Sequence, residues 1–124
     1  MSVLKLYNTT RKRYPDITEK ADKEHIRIWD EVDPEFAYSW FESLANAINK
    51  EMVEGVEAEI YIDLFNYLDF QFQAGDERTR NCIDVAFTEN LFWDVPVKKQ
   101  EPFWIILPAT LKELYIKFHR PNSL

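Results

Sequence analysis

Two glycines in 124 residues, Gly55 and Gly75, constrain this chain more than any other feature. A β-sandwich or barrel of this length turns its strands on many tight, glycine-dependent corners, and two glycines cannot supply them. The chain is therefore expected to be all-α, a compact single-domain bundle of about five helices over residues 1–124. Hydrophobic residues make up 46% and aromatics 15% of the sequence, enough to pack one interior despite 30% charged residues.

Hydrophobic spacing places the helices. Residues 1–15 read as an N-terminal extension or short strand, because VLKLY alternates and TTRKRYP reads as a loop. A first helix is expected from Asp16, capped by Asp16 with Glu19, with Ile17, Ala21, His25, Ile28 and Val32 on its inner stripe. Asp33 and Pro34 then open a second helix, whose Phe36, Trp40, Leu44, Ile48 and Met52 recur at four-residue intervals up to a glycine cap at Gly55.

A third helix over about 57–73 is apolar on most sides and is expected to lie centrally, although EIYIDLF also alternates and leaves a pair of strands as the alternative. Its main face is Ile60, Leu64, Tyr67, Leu68 and Gln71. Gly75 and Asp76 end it and cap a fourth helix, with Cys82, Ile83, Ala86, Phe87, Asn90 and Leu91 inside and Glu77, Arg80, Asp84 and Thr88 outside. Residues 95–108 read as a long loop bounded by Pro96, Pro102 and Pro108. A last helix from Ala109 to about His119 buries Leu111, Leu114, Tyr115 and Phe118, and Pro121 stops it.

Charge separates along the chain. Of a net −7, residues 31–94 contribute fifteen acidic against three basic side chains, a local −12 between two mildly basic ends. Such a field repels phosphate backbones and argues against direct nucleic-acid binding, while it steers a basic protein partner into contact.

Reaction chemistry finds little to work with. Cys82 falls on an apolar stripe, so a buried structural thiol is expected. His25 reads as a satisfied core histidine, and His119 as a cation suited to a helix C-terminus. No zinc, EF-hand or glycine-rich phosphate motif is present, so no cofactor and no metal are expected. Glu59 and Asp63, four residues apart, leave open a small carboxylate-dependent metalloenzyme. An acidic helical adaptor for a basic protein is the other alternative. One cysteine fits a reducing, cytoplasmic address. The N-terminal apolar run is too short for a signal peptide, and no run approaches the roughly 18 apolar residues of a membrane span.

The segment GDERTRNCIDVAFTENL resembles a pattern in small, mostly helical bacterial immunity proteins of polymorphic and contact-dependent growth-inhibition toxin systems. The matching positions are Gly75, Asp76, Asn81, Ile83, Val85, Phe87, Glu89, Asn90 and Leu91, within a similarity that spans about 57–118. Arg80, Cys82 and Thr88 depart from it. The resemblance implies a non-enzymatic protein that binds one cognate toxin domain, commonly a basic nuclease, and covers its active site or substrate groove. The expected contact residues are Glu59, Asp63, Asp69, Asp76, Glu77, Asp84 and Asp94, with Trp93 as an anchor. Phe92 and Trp104 are further anchor candidates, Trp104 being the one more suited to the core.

Overall fold

A serine decides the N-terminus. Ser2 Oγ accepts the Lys5 amide at 3.1 Å and so caps a helix, α1, over Val3–Arg13. The computed structural model, which describes residues 2–119, thus has a helix where the alternation of VLKLY suggests a strand or extension. Leu6, Tyr7 and Thr10 form its buried stripe, a helical spacing that outweighs five alternating residues. Arg11, Lys12 and Arg13 sit in its last turn, where cations oppose the helix dipole.

Only Tyr14 separates α1 from α2 (Pro15–Trp29). Pro15 starts the helix and Tyr14 caps it without a side-chain hydrogen bond, so the expected Asp16–Glu19 capping box does not form. The inner face of α2 is also rotated from expectation. Thr18, Ala21, Glu24 and His25 are buried, whereas Ile28 is exposed. Asp30 ends the helix in the left-handed region at φ 69°.

Asp33 Oδ1 accepts the Glu35 amide and starts a short 3₁₀ turn, Pro34–Phe36, that leads into α3 (Ala37–Glu54). This is the central helix. It packs on α1, α2, α6 and the 82–90 segment, and buries Trp40, Leu44, Ile48 and Met52 on the expected stripe. Each such side chain contributes about 1.5–3 kcal/mol through the apolar area it removes from water. Phe36, at the head of that stripe, instead stays exposed and stacks on Trp29. Gly55 closes the helix at φ 82°, a backbone that side chains resist.

A 3₁₀ turn, Ala58–Tyr61, precedes α4 (Ile62–Ala74). No strand occurs among the described residues, so the helical reading of EIYIDLF holds. The central position expected of α4 falls to α3, because Ile60, Ile62 and Phe70 face solvent. Gly75 is needed for space: a Cβ there would lie 2.6 Å from the Gln71 carbonyl oxygen and 2.8 Å from Thr79 Cγ2.

Asp76 Oδ1 accepts the Thr79 amide at 2.8 Å and caps α5 (Glu77–Asn81). The fourth helix expected from here does not run on unbroken. It widens into a π-helical stretch, Cys82–Phe87, then tightens into a 3₁₀ turn, Thr88–Asn90. Thr88, expected outside, is carried inward and donates its hydroxyl to the Ile83 carbonyl at 2.8 Å. Cys82, Ile83, Ala86, Phe87 and Leu91 are buried as their spacing implied.

Residues 95–108 correct the loop reading. They form α6 (Val97–Ile106), with Pro102 inside it. Pro96 and Pro108 start helices, their carbonyls accepting from Lys99 at 2.8 Å and Lys112 at 3.0 Å. Only Pro102 removes a donor from a helix interior. Phe103 beside it is buried against Tyr61. The last helix, α7 (Ala109–His119), buries Leu111, half-buries Leu114 and Tyr115, and leaves Phe118 exposed. Pro121 lies outside the described residues. Seven α-helices in these residues replace the five expected, and the all-α class stands.

Candidate docking edge

The cysteine and the two histidines are enclosed or engaged. Cys82 has no exposed surface, and burial pushes its thiol up to about 12, so no thiolate forms near neutrality. His25 is fully buried with Nδ1 2.9 Å from Ser43 Oγ. Its Nε2 has no partner among the described residues, so the expected core histidine is only half satisfied there, and burial lowers its pKa. His119 stacks on Tyr115 and lies 3.2 Å from the Glu89 carbonyl oxygen.

The carboxylates expected at one binding face are divided among several surroundings. Glu59 sits exposed in the turn before α4, in a groove with Lys98 and Lys99. Asp63 takes the Tyr14 hydroxyl and an ion pair from Arg13 at 3.7 Å. Asp69 accepts from Gln73 through Oδ2, while its Oδ1 is enclosed without a partner among the described residues. Asp76 is committed to capping α5, and the hydrogen bond from the Thr79 amide holds its carboxyl below the usual range. Glu77 lines a groove with Leu4, Tyr38 and Arg78.

Asp84 shares another groove with Glu89, Lys117 and Phe118. Burial raises the pKa of both Asp84 and Glu89, with Lys117 opposing the rise at Asp84. Among the described residues no group of three or more His, Cys, Asp or Glu side chains could hold a metal ion.

Trp93 and Asp94 are placed differently. The chain leaves the 3₁₀ turn at Asn90 and passes against α3 at Asn49. Phe92 and Asp94 both adopt left-handed backbone, at φ 71° and φ 55°, with Trp93 between them. Such conformations cost side-chain-bearing residues about 1–2 kcal/mol each, and they persist only where the surroundings hold them.

Asn49 of α3 is the holder. Its buried side chain donates Nδ2–H to the Asn90 carbonyl at 2.9 Å and accepts the Phe92 amide through Oδ1 at 2.7 Å. Phe92 is thereby driven inward against Trp104 and Tyr115, and Trp93 is turned out, 72% exposed. Of the three anchor candidates, Phe92 is core, Trp104 is half-buried against the core, and Trp93 is free.

Trp93 rims an open groove of about 570 Å³. Asn49 and Val95 form its buried floor, and Val53, Glu54 and Asp94 are exposed beside Trp93. Across it lies a closed ion group, with the buried Glu24 carboxylate taking Arg27 at 2.5 Å and Lys50 at 2.7 Å. Burial works against ionised Glu24, but the hydrogen bonds from Arg27 and Lys50 outweigh it and hold the carboxyl below its ordinary range. Asn49 was missed from sequence. Asn46, Lys50 and Glu51 around it are polar as well, so its position along the helix gave no distinct signal.

The described residues form helices and no strand, and the exposed indole of Trp93 stands on a loop pinned by Asn49. Residues 7–121 match a family model described as Domain of unknown function (DUF7674), and the chain belongs to that family. No curated protein and no solved structure matches it. No helix of the described residues is long and apolar enough to cross a membrane.

Proposed function

We propose that this chain is a stoichiometric immunity protein of the cytoplasm. It docks its Trp93 edge on a cognate, basic toxin domain and blocks that domain's active site or substrate groove. The observation that carries this reading is the exposure of Trp93 on strained backbone held by Asn49. A large indole left in water costs hydration free energy, and ordering it in two left-handed neighbours costs more. An anchor for a partner recovers both. The −12 carried by residues 31–94 supports a cationic partner and fast, steered capture. The resemblance of the Gly75–Leu91 segment to immunity proteins is the support for a toxin as the partner.

The test is co-expression with a cationic toxin domain encoded next to this gene, followed by inhibition and affinity measurements. The complex is expected to form one to one, to abolish nuclease activity, and to weaken as salt rises. Trp93→Ala is expected to cost an anchor's share, about 2 kcal/mol or some 30-fold in Kd. Full toxin activity in the presence of excess protein would refute the immunity role.

A further inference from the structure

The partly buried corner around Arg11 is a complete arginine receptor. Arg11 donates to both oxygens of Asp22, at 2.6 and 2.9 Å. The same carboxylate accepts the Trp40 indole N–H at 2.8 Å, and the guanidinium lies 5.8 Å from the Trp40 ring centroid and 5.1 Å from that of Tyr7. A planar cation is thus matched by a carboxylate along its edge and by aromatic rings nearby, a combination that suits arginine and not lysine.

The Trp93 groove presents an indole and carboxylates of the same kind, Asp94 and Glu54, with no cation paired to those two among the described residues. Trp93 supplies an open aromatic face, and Asp94 and Glu54 supply carboxylates that form no ion pair among the described residues. The groove's own cations, Arg27 and Lys50, are both held by Glu24. What remains unmatched is an indole and two negative charges on one rim.

We infer that this groove is a receptor for an arginine side chain of the partner, whose guanidinium stacks on Trp93 and pairs with Asp94 and Glu54. The inference rests on the docking reading above and specifies its chemistry. Desolvating a cation over indole adds to its pairing with carboxylate, whereas a lysine ammonium offers no plane to stack and stays more strongly hydrated.

The experiment titrates the ¹⁵N-labelled chain with a short peptide of alternating glycine and arginine, and with its lysine and citrulline counterparts. Four tryptophans give four indole N–H signals, and Trp93→Phe identifies the one concerned. The arginine peptide is expected to shift the Trp93 indole and the Val53 amide while leaving the Trp40 indole, bound to Asp22, in place. Lysine should bind about tenfold more weakly and citrulline should not bind, and Asp94→Asn with Glu54→Gln should cost tenfold or so.

Equal shifts with arginine and lysine, an unmoved Trp93 signal, or an unaffected double variant would each overturn the receptor. If the peptides fail while Trp93→Ala still weakens capture of the toxin domain, the guanidinium specificity is wrong and the docking edge stands. If the arginine peptide binds and no toxin domain is captured, the receptor stands and the immunity role falls.

Discussion

Trp40 and Trp93 each sit beside a carboxylate, and the fold treats them in opposite ways. Trp40 has no exposed surface, its N–H is taken by Asp22, and Arg11 completes the corner. Trp93 is 72% exposed, and no cation reaches the carboxylates next to it among the described residues. The inner corner joins α1, α2 and α3 and serves stability. The outer one is raised on strained backbone and contributes nothing comparable to the core. The same three chemical groups form a structural joint at Trp40, and at Trp93 one of the three is withheld.

Removing each tryptophan tests that contrast directly. Trp40→Ala is expected to cost about 3–5 kcal/mol, because it opens a cavity in the centre of the core and takes from Asp22 one of its three donors. The measurement is urea unfolding, where the midpoint should fall steeply with little change in slope. A small loss would mean that the inner corner is not the joint described.

Asn49→Ala should come next, at about 2–3 kcal/mol, since it leaves the Phe92 amide and the Asn90 carbonyl without their buried partner. The variant should also lose Trp93-dependent binding although Trp93 itself is untouched. Retained affinity would show that the loop holds its shape without the clamp.

The inner corner has a titratable neighbour whose sign can be worked out. Burial lowers the His25 pKa below its ordinary 6.5, with nearby Asp22 opposing that shift and Arg11 adding to it; Ser43 is its hydrogen-bond partner. Above 6.5 both states are neutral at this position and no stability is lost. As pH falls below that value the unfolded chain takes up a proton that the folded chain refuses, so stability declines. The slope from this group is at most about 1.4 kcal/mol per pH unit. Unfolding measured from about pH 7.5 down to about pH 5 should show the decline in the wild type and a shallower one in His25→Gln. Identical slopes would place the titration elsewhere.

Trp93→Ala should have the smallest effect on folding, within about 0.5 kcal/mol, because the side chain is already in water. Thermal melting checks this. A large drop would assign Trp93 to the structure and remove the contrast with Trp40.

Much of the fold was legible along the chain. The Trp40, Leu44, Ile48, Met52 stripe, the caps at Asp33, Gly55 and Asp76, and the burial of Cys82 follow from spacing within a turn or two of helix. Misreadings arose where a local signal had two meanings. Proline marks the start of a helix as readily as a loop, which hid α6, and five alternating residues masked the capped helix α1. Less of the candidate site was visible. Trp93 could be named as an anchor, but the acidic residues grouped with it on charge alone fall in separate grooves or in caps and ion pairs.

By itself, the sequence determined that this chain is helical, that its middle is acidic, and that a long amphipathic stripe runs through Trp40, Leu44, Ile48 and Met52. These are consequences of glycine scarcity, composition and periodicity, all of which act over a few residues. Tertiary structure alone decided that Phe92 turns in and Trp93 turns out. That choice is made by Asn49 reaching 41 and 43 positions along the chain to Asn90 and Phe92. Hydrogen bonds across such separations exist only once α3 and the 90–95 segment have packed together, so no window of sequence contains them.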